Sequence, residues 1–196
     1  MTAAKQLLVA FGANQPFGTI SPAEVIVSAG KTLAEVLEAK VWMSSLYQTP
    51  CFPAGAGPDY VNAAAVVTLR HALSPDQALQ ALHKVEARFG RARTTRWAAR
   101  SLDVDLLAYG DAVCPDTATQ THWRNLPAAD QARETPDQLI LPHPRLQDRA
   151  FVLVPLAEVA PDWRHPVLGL TVAEMLAALP IADRAEVVRL NSAASF

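Results

Sequence analysis

Two aspartates sit two residues apart in SLDVDLLAYG (101–110), a segment otherwise rich in the apolar residues of a protein core. In an extended chain the side chains at i and i+2 share a face, so Asp103 and Asp105 stand together while Leu102, Val104 and Leu106 turn to the core. Their Cα atoms are then roughly 6.5 to 7 Å apart. Carboxylates so placed can converge on one or two Mg²⁺ ions, because paired metals at phosphoryl centres lie about 3.5 to 4 Å apart. A solvated strand face carrying incidental acids is the competing reading. Hydrolases and nucleotidyl transferases use the same pair.

Cations crowd the acids on both sides in sequence. Arg91, Arg93, Arg96 and Arg100 precede them, and His143, Arg145 and Arg149 follow in LPHPRLQDRAF. Mg²⁺ needs hard oxygens and guanidinium groups bind phosphate oxygens in pairs, so together they point to a metal–polyphosphate site. Taken singly, the arginines read as a solvated helix end and turn, His143 as a turn histidine satisfied by backbone, and Glu86 as an exposed helix residue. Neither G-x-x-x-x-G-K-[ST] nor G-x-G-x-x-G occurs, so the phosphates must be held by some other device. Tyr60, Asn62 and Phe151 offer aromatic faces and an amide, a set suited to a flat heteroaromatic ring. As ordinary core residues, Tyr60 and Phe151 would need no ligand.

The elements that must carry these residues follow from periodicity. QLLVAFG (6–12) is a short apolar run ending at glycine, which predicts a buried strand. Ser21, Pro22 and Glu24 then open a helix with apolar residues at Val25, Ala29, Leu33 and Val36. VWMSSLYQT and YVNAAAVVTLR read as two strands joined by the loop PCFPAGAGPD. Ser74, Pro75 and Gln77 start a second helix, which repeats Leu79, Leu82, Val85 and Phe89 and stops at Gly90. The acidic strand comes next. Residues 112–137 show no convincing period and predict a surface insertion. A proline-bounded turn LPHPRL, the apolar run AFVLVPLAEVAP, a short helix capped by Thr171 and Glu174, and a closing strand EVVRL complete the chain. The order predicts an α+β fold, a ferredoxin-like βαββαβ sandwich with C-terminal additions, in one domain spanning 1–196. That order alone says nothing of function.

The chain has 196 residues, about half of them hydrophobic, enough to bury a sizeable core. With 17 basic and 19 acidic residues it has no global field to recruit nucleic acid or an anionic membrane. Any anion site must therefore be a local cluster of arginines. Cys51 and Cys114 are far apart and lack metal spacing, which argues against zinc and a disulfide framework and favours a reducing cytoplasm. The N-terminal apolar run is too short for a signal peptide, and no run of about 18 apolar residues could cross a bilayer. A monomer with small-molecule partners, and with no nucleic acid or membrane partner, is the expectation.

These pieces, in this order, resemble the 6-hydroxymethyl-7,8-dihydropterin pyrophosphokinase family of folate biosynthesis. The resemblance runs through most of the chain: FGAN, SSLYQTP, PDYVNAAAVV, VEARFGR, RWAARSLDVDLLAYGD and LPHPRLQDRAFVLVPLAEVAPDW. It implies transfer of diphosphate from MgATP to the pterin hydroxymethyl group, with AMP as the other product. It implies that Asp103 and Asp105 hold two Mg²⁺ ions. Arg100, His143, Arg149, Trp97 and either Arg91 or Arg93 would contact the triphosphate, with Glu86 and the backbone from Leu106 to Ala108 nearer the nucleotide. Thr49, Pro50, Tyr60, Asn62 and Phe151 would frame the pterin, the ring lying between Tyr60 and Phe151, and Asn14 would belong to a first mobile loop. The chain departs from the family pattern at GANQPFGTISP, at Ser101 where threonine is common, in the detail of PCFPAGAGPD, and in the length of 112–137. A DxD-dependent phosphatase or nucleotidyl transferase is the rival enzyme reading, though the DxDGT continuation is absent. An RNA-binding module is the rival outside enzymes, though no basic patch with interleaved aromatics is present.

Overall fold

Strand β1, Gln6–Ala13, turns Leu7, Val9, Phe11 and Ala13 to one face of a sheet and Leu8, Ala10 and Gly12 to the other. The computed structural model describes residues 5–51, 57–90, 101–127, 130 and 133–191. Strand β4, Tyr60–Thr68, runs antiparallel along the whole of β1, with Gly12 opposite Asn62. Strand β5, Asp103–Tyr109, lies antiparallel on the other side of β1, with Gly12 opposite Asp103 and Ala10 opposite Asp105. Strands β2, Lys40–Met43, and β3, Tyr47–Thr49, share the far side of β4. The short β6, Val188–Arg189, pairs with β3. The result is a six-stranded antiparallel sheet in a mixed α/β fold, with β5 at one edge.

VWMSSLYQT, expected as one strand, is two. The ladder breaks after Met43 because Ser44 closes it locally: its N–H donates to Ala64 O at 2.8 Å and its Oγ accepts from Ala64 N at 3.0 Å. Ser45 leaves the sheet and donates through N and Oγ to Glu158, at 3.0 and 2.9 Å, before β3 resumes.

Helices α1, Pro22–Val36, and α2, Pro75–Arg88, cover the first face; each begins with the serine capping box and proline that its sequence predicts. Val25, Ile26, Ala29 and Leu33 of α1 and Ala78, Leu82 and Val85 of α2 meet the β1, β4 and β5 side chains there in one continuous core. A Cβ on Gly30 would stand 2.1 Å from Met43 Sδ, so any side chain there would have to displace the end of Met43.

The second face is closed by α4, Ala150–Val159, and α5, Val172–Ala178. Val152, Leu153, Leu156, Val172 and Met175 pack on Leu8, Ala64, Leu107 and Ala108. A β-bulge makes this possible. Leu8 pairs with Ala108 and Val9 with Leu106, so Leu107 is an extra residue in β5. It places Leu107 and Ala108 together in the second core and returns Tyr109 to the first.

Residues 112–137, expected as a surface insertion without a period, contain a helix. Asp116 caps helix α3, Thr117–Asn125, accepting from Thr119 N at 2.8 Å. The helix has no apolar stripe; its buried residue is Gln120, whose Nε2 donates to Pro142 O at 3.2 Å. Cys114 and Leu141 exchange backbone hydrogen bonds at 2.9 and 3.0 Å, tying the start of the segment to its end. Periodicity missed it because polar side-chain and backbone bonds, not apolar burial, dock this helix. The last helix, α6, is Ile181–Ala185. No described helix is long and apolar enough to cross a membrane.

Candidate active site

Residues directly opposite one another in antiparallel strands present their side chains to the same face. Asp103 of β5, Gly12 of β1, Asn62 of β4 and Tyr47 of β3 therefore form one row across four strands. Asp105 and the pair Thr49–Tyr60 stand in neighbouring rows of that same second face. Between Asp103 and Asn62 the row is floored by a glycine, which leaves the space above it open.

Strand β5 is an edge, so an outward N–H there needs a partner. Val104 N finds one in Glu86 Oε1, at 2.9 Å. Glu86 is 1% exposed. It is not the exposed helix residue of the simpler reading, but a buried carboxylate bound to the backbone between the two aspartates. That bond ties the strand between the two acids to α2.

His143 is anchored at its own backbone, its N–H donating to Leu107 O at 2.8 Å. Its Nδ1 accepts from Arg145 N at 3.1 Å, which leaves the ring proton on Nε2. Burial, and then the charges of Arg149 and Arg145, push its pKa down to about 3, so the imidazole is a neutral donor across the physiological range. Arg149 ends the turn; burial loosens its proton and Asp105 opposes that loss. Its Nη1 stands 4.0 Å from Asp105 Oδ2, and its guanidinium lies 5.6 Å from the ring centre of the exposed Phe151. With 31% of the Arg149 side chain and 40% of the Asp105 side chain exposed, both can still take a ligand.

Asp105, Leu106, His143, Arg145 and Arg149 line one cleft of about 750 Å³. Across it lie Leu79 and His83 of α2, and Trp123 together with residues 134–140. Sequence reading missed this second wall. A lone tryptophan in a polar segment just after an Asp116 cap was its available signal. On the other side of the row, Asn62 Nδ2 donates to Thr49 Oγ1 at 2.8 Å, and both residues are buried. Asn14, two residues beyond Gly12, donates to Pro58 O at 3.4 Å. Pro50 follows β3 and is exposed. Arg91, Arg93, Arg96, Trp97 and Arg100 lie outside the described residues.

An acidic edge strand, a neutral histidine donor beside two half-buried arginines, and an amide shelf are parts suited to a phosphorylated ligand and a flat polar ring. Residues 8–161 match the sequence model of 7,8-dihydro-6-hydroxymethylpterin-pyrophosphokinase. The chain belongs to this family. A Synechocystis relative named 2-amino-4-hydroxy-6-hydroxymethyldihydropteridine pyrophosphokinase is 44% identical over 133 residues, 68% of this chain and 56% of its own length. A Pseudomonas aeruginosa relative of the same name is 35% identical over 178 residues, covering 90% of this chain and 93% of the relative. Among solved structures, an HPPK-DHPS in complex with substrates superposes with TM-score 0.62 at 12% identity, over 90% of this chain and 43% of that one. Wild-type Plasmodium falciparum HPPK-DHPS gives 0.60 at 14% identity, over 89% and 44%. These structural likenesses establish the fold, and this chain spans less than half of each of those two chains. Of the described site residues, Asp103, Asp105, Thr49, Tyr60 and Asn62 share the second sheet face, and Asp105, Leu106, His143 and Arg149 line the cleft.

Proposed function

We propose that this chain transfers a diphosphate group from MgATP to the hydroxymethyl oxygen of 6-hydroxymethyl-7,8-dihydropterin, releasing AMP. The observation that carries the reading is the single row Asp103–Gly12–Asn62, which sets an acidic phosphate-side end and an amide-lined ring-side end on one sheet face. Those ends are two strands apart, roughly 10 Å. That is the span of a ring and a phosphoryl group held end to end.

The donor set fits magnesium. At phosphoryl centres Mg²⁺ keeps several waters and takes one or two carboxylates besides the phosphates, instead of a protein cage. Asp103 and Asp105 are partly exposed, and no group of three or more His, Cys, Asp or Glu gathers as a metal cage among the described residues. They would hold two Mg²⁺ ions, which when bound neutralise phosphate oxygens and order the reacting groups. His143 donates from Nε2 and Arg149 from its guanidinium to the phosphate chain. Arg91, Arg100 and Trp97 complete the triphosphate contacts. The backbone at Leu106, a residue that lines the cleft, lies nearer the base.

On the other side, Asn62 reads the polar edge of the pterin and is itself oriented by Thr49. Tyr60 and Phe151 enclose the ring, and Pro50 closes its rim. The hydroxymethyl oxygen forms a bond to the β-phosphorus as the bond from that phosphorus to the AMP oxygen breaks, and the hydroxyl proton passes to water. Positioning and charge carry the rate, as in phosphoryl transfer generally. The strand order supports the ferredoxin-like βαββαβ description with C-terminal additions; a single domain working as a monomer in the cytoplasm belongs to the same proposal.

Separation of nucleotides after incubation with MgATP, with and without the pterin, tests this reading. AMP and pterin diphosphate in equal amounts, formed only when both substrates are present, is the expected outcome. ADP as the main product, or phosphate release without the pterin, overturns it.

A further inference from the structure

We infer that Trp123 of α3 covers the purine base of the nucleotide, so that this helix supplies a base-side wall of the site. The inference rests on the pyrophosphoryl-transfer reading for the identity of the nucleotide, and on the cleft for its geometry. Different elements bring different chemistry to the cleft. Asp105 of β5 and His143, Arg145 and Arg149 of the turn bring charge and phosphate-binding donors, whereas Leu79 of α2, Trp123 of α3 and Leu139 bring apolar and aromatic surface, with Asp76, His83, Glu134 and Asp137 also in the lining. A nucleoside triphosphate has that same division between phosphate chain and flat base.

The wall is built to stay in place. Gln120, three residues before Trp123 and on the same side of α3, is fully buried and donates to Pro142 O, the carbonyl next to His143. The exchange of backbone hydrogen bonds between Cys114 and Leu141 fastens the segment's start to the same turn. Helix α3 is thus referenced to the residue that donates to the phosphates, and the indole is carried at a set distance from it. No apolar stripe on α3 calls for an indole: the helix is otherwise Thr, Ala, Gln, His, Arg and Asn. A half-buried tryptophan on such a helix, facing a cleft, is a stacking platform, and stacking serves any flat base without needing matched hydrogen bonds.

Calorimetric titration of the whole protein with α,β-methylene-ATP and, separately, with inorganic tripolyphosphate isolates the base from the phosphate chain. Trp123→Ala is expected to weaken the nucleotide analogue by about tenfold. Tripolyphosphate affinity, pterin affinity and the melting temperature are expected to stay at their wild-type values. Trp123→Phe, which keeps a ring in the wall, is expected to recover most of the loss. Equal weakening of tripolyphosphate and the analogue overturns the inference, as does unchanged analogue binding in Trp123→Ala. If Trp123→Ala fails to fold, Trp123→Gln, which also removes the ring, takes its place at a wild-type melting temperature: analogue binding weakened with tripolyphosphate unchanged upholds the inference, and analogue binding unchanged overturns it. These are binding measurements, so a wild-type protein that makes no AMP sinks the functional reading and leaves this result legible.

Discussion

On the sheet face covered by α1 and α2, apolar side chains meet from end to end, from Leu7 to Ala13 along β1 and from Val104 to Tyr109 along β5. On the opposite face, apolar packing under α4 and α5 reaches Leu8, Ala64, Leu107 and Ala108 and gives way to Asp103, Asp105, Gly12 and Asn62. The same strands supply both faces. The first is a continuous foundation, and the second is a core for part of its length and an open polar shelf for the rest. The lesson is that a strand can be apolar for folding and polar for chemistry at once, because alternate residues answer to different neighbours. The cost of the shelf is carried by the continuous core behind it.

The sharpest way to break this comparison is Asp105→Asn, which keeps shape and removes charge from the shelf. Turnover is expected to fall by roughly a thousandfold, about 4 kcal/mol of transition-state stabilisation. The melting temperature without ligand should hold, because no buried packing is lost. A variant that loses stability instead would place Asp105 in the foundation.

Leu82→Ala makes the converse test from the first face. Leu82 is fully buried between α2 and the sheet, so its truncation is expected to cost about 3 kcal/mol by denaturant titration. Turnover per folded molecule should stay close to wild type. A large fall in turnover at full folding would show the two faces to be coupled through β5, where Glu86 already links α2 to the acidic strand.

A third region sharpens the contrast by having buried polarity without a ligand role. His165, 0% exposed beyond α4, accepts at Nδ1 from Val167 N and Leu168 N, both at 3.2 Å. Burial first, and then the charge of Arg124, lowers its pKa from 6.5 to about 4. The unfolded chain therefore binds the extra proton between those two values, and stability falls as pH drops through that window. The loss is about 2 kcal/mol by pH 5. His143 adds a loss of the same sign. Thermal melts across pH should show the decline, and His165→Asn should flatten part of it with turnover at neutral pH intact. An unchanged slope in that variant would refute the assignment.

The smallest effect expected is at Gly12, whose backbone needs no positive φ and whose added Cβ would meet only Asn62 Oδ1, at 3.4 Å. Gly12→Ala should raise stability by about 0.5 to 1 kcal/mol, the usual gain for replacing glycine inside a strand. It should also raise the KM for the pterin, since the methyl enters the open lane of the row. A stability gain with unaltered KM would mean the lane is wider than the row suggests.

Much of this was legible in the chain itself. Ser21 and Ser74 announced their helices because a capping box is a local bond between residues three apart. Asp103 and Asp105 announced a shared face because strand alternation is a local geometry. The burial of Glu86 was not legible because an acid on a helix looks solvated until the edge strand it serves is in place. Helix α3 was overlooked because its anchor is Gln120 on Pro142, a contact between residues distant in sequence.

The amino-acid sequence by itself determined the strand and helix order, the paired carboxylates, the cationic turn and the family, since all of these reside in spacing and residue type along the chain. Tertiary structure alone decided that Gly12 lies between Asp103 and Asn62, that Leu107 is an extra residue which lets β5 serve two cores, and that Trp123 faces the same cleft as Asp105. The physical reason is that register, bulges and cleft walls arise from pairing between distant segments. The free energy of that pairing belongs to the packed molecule and not to any stretch of it.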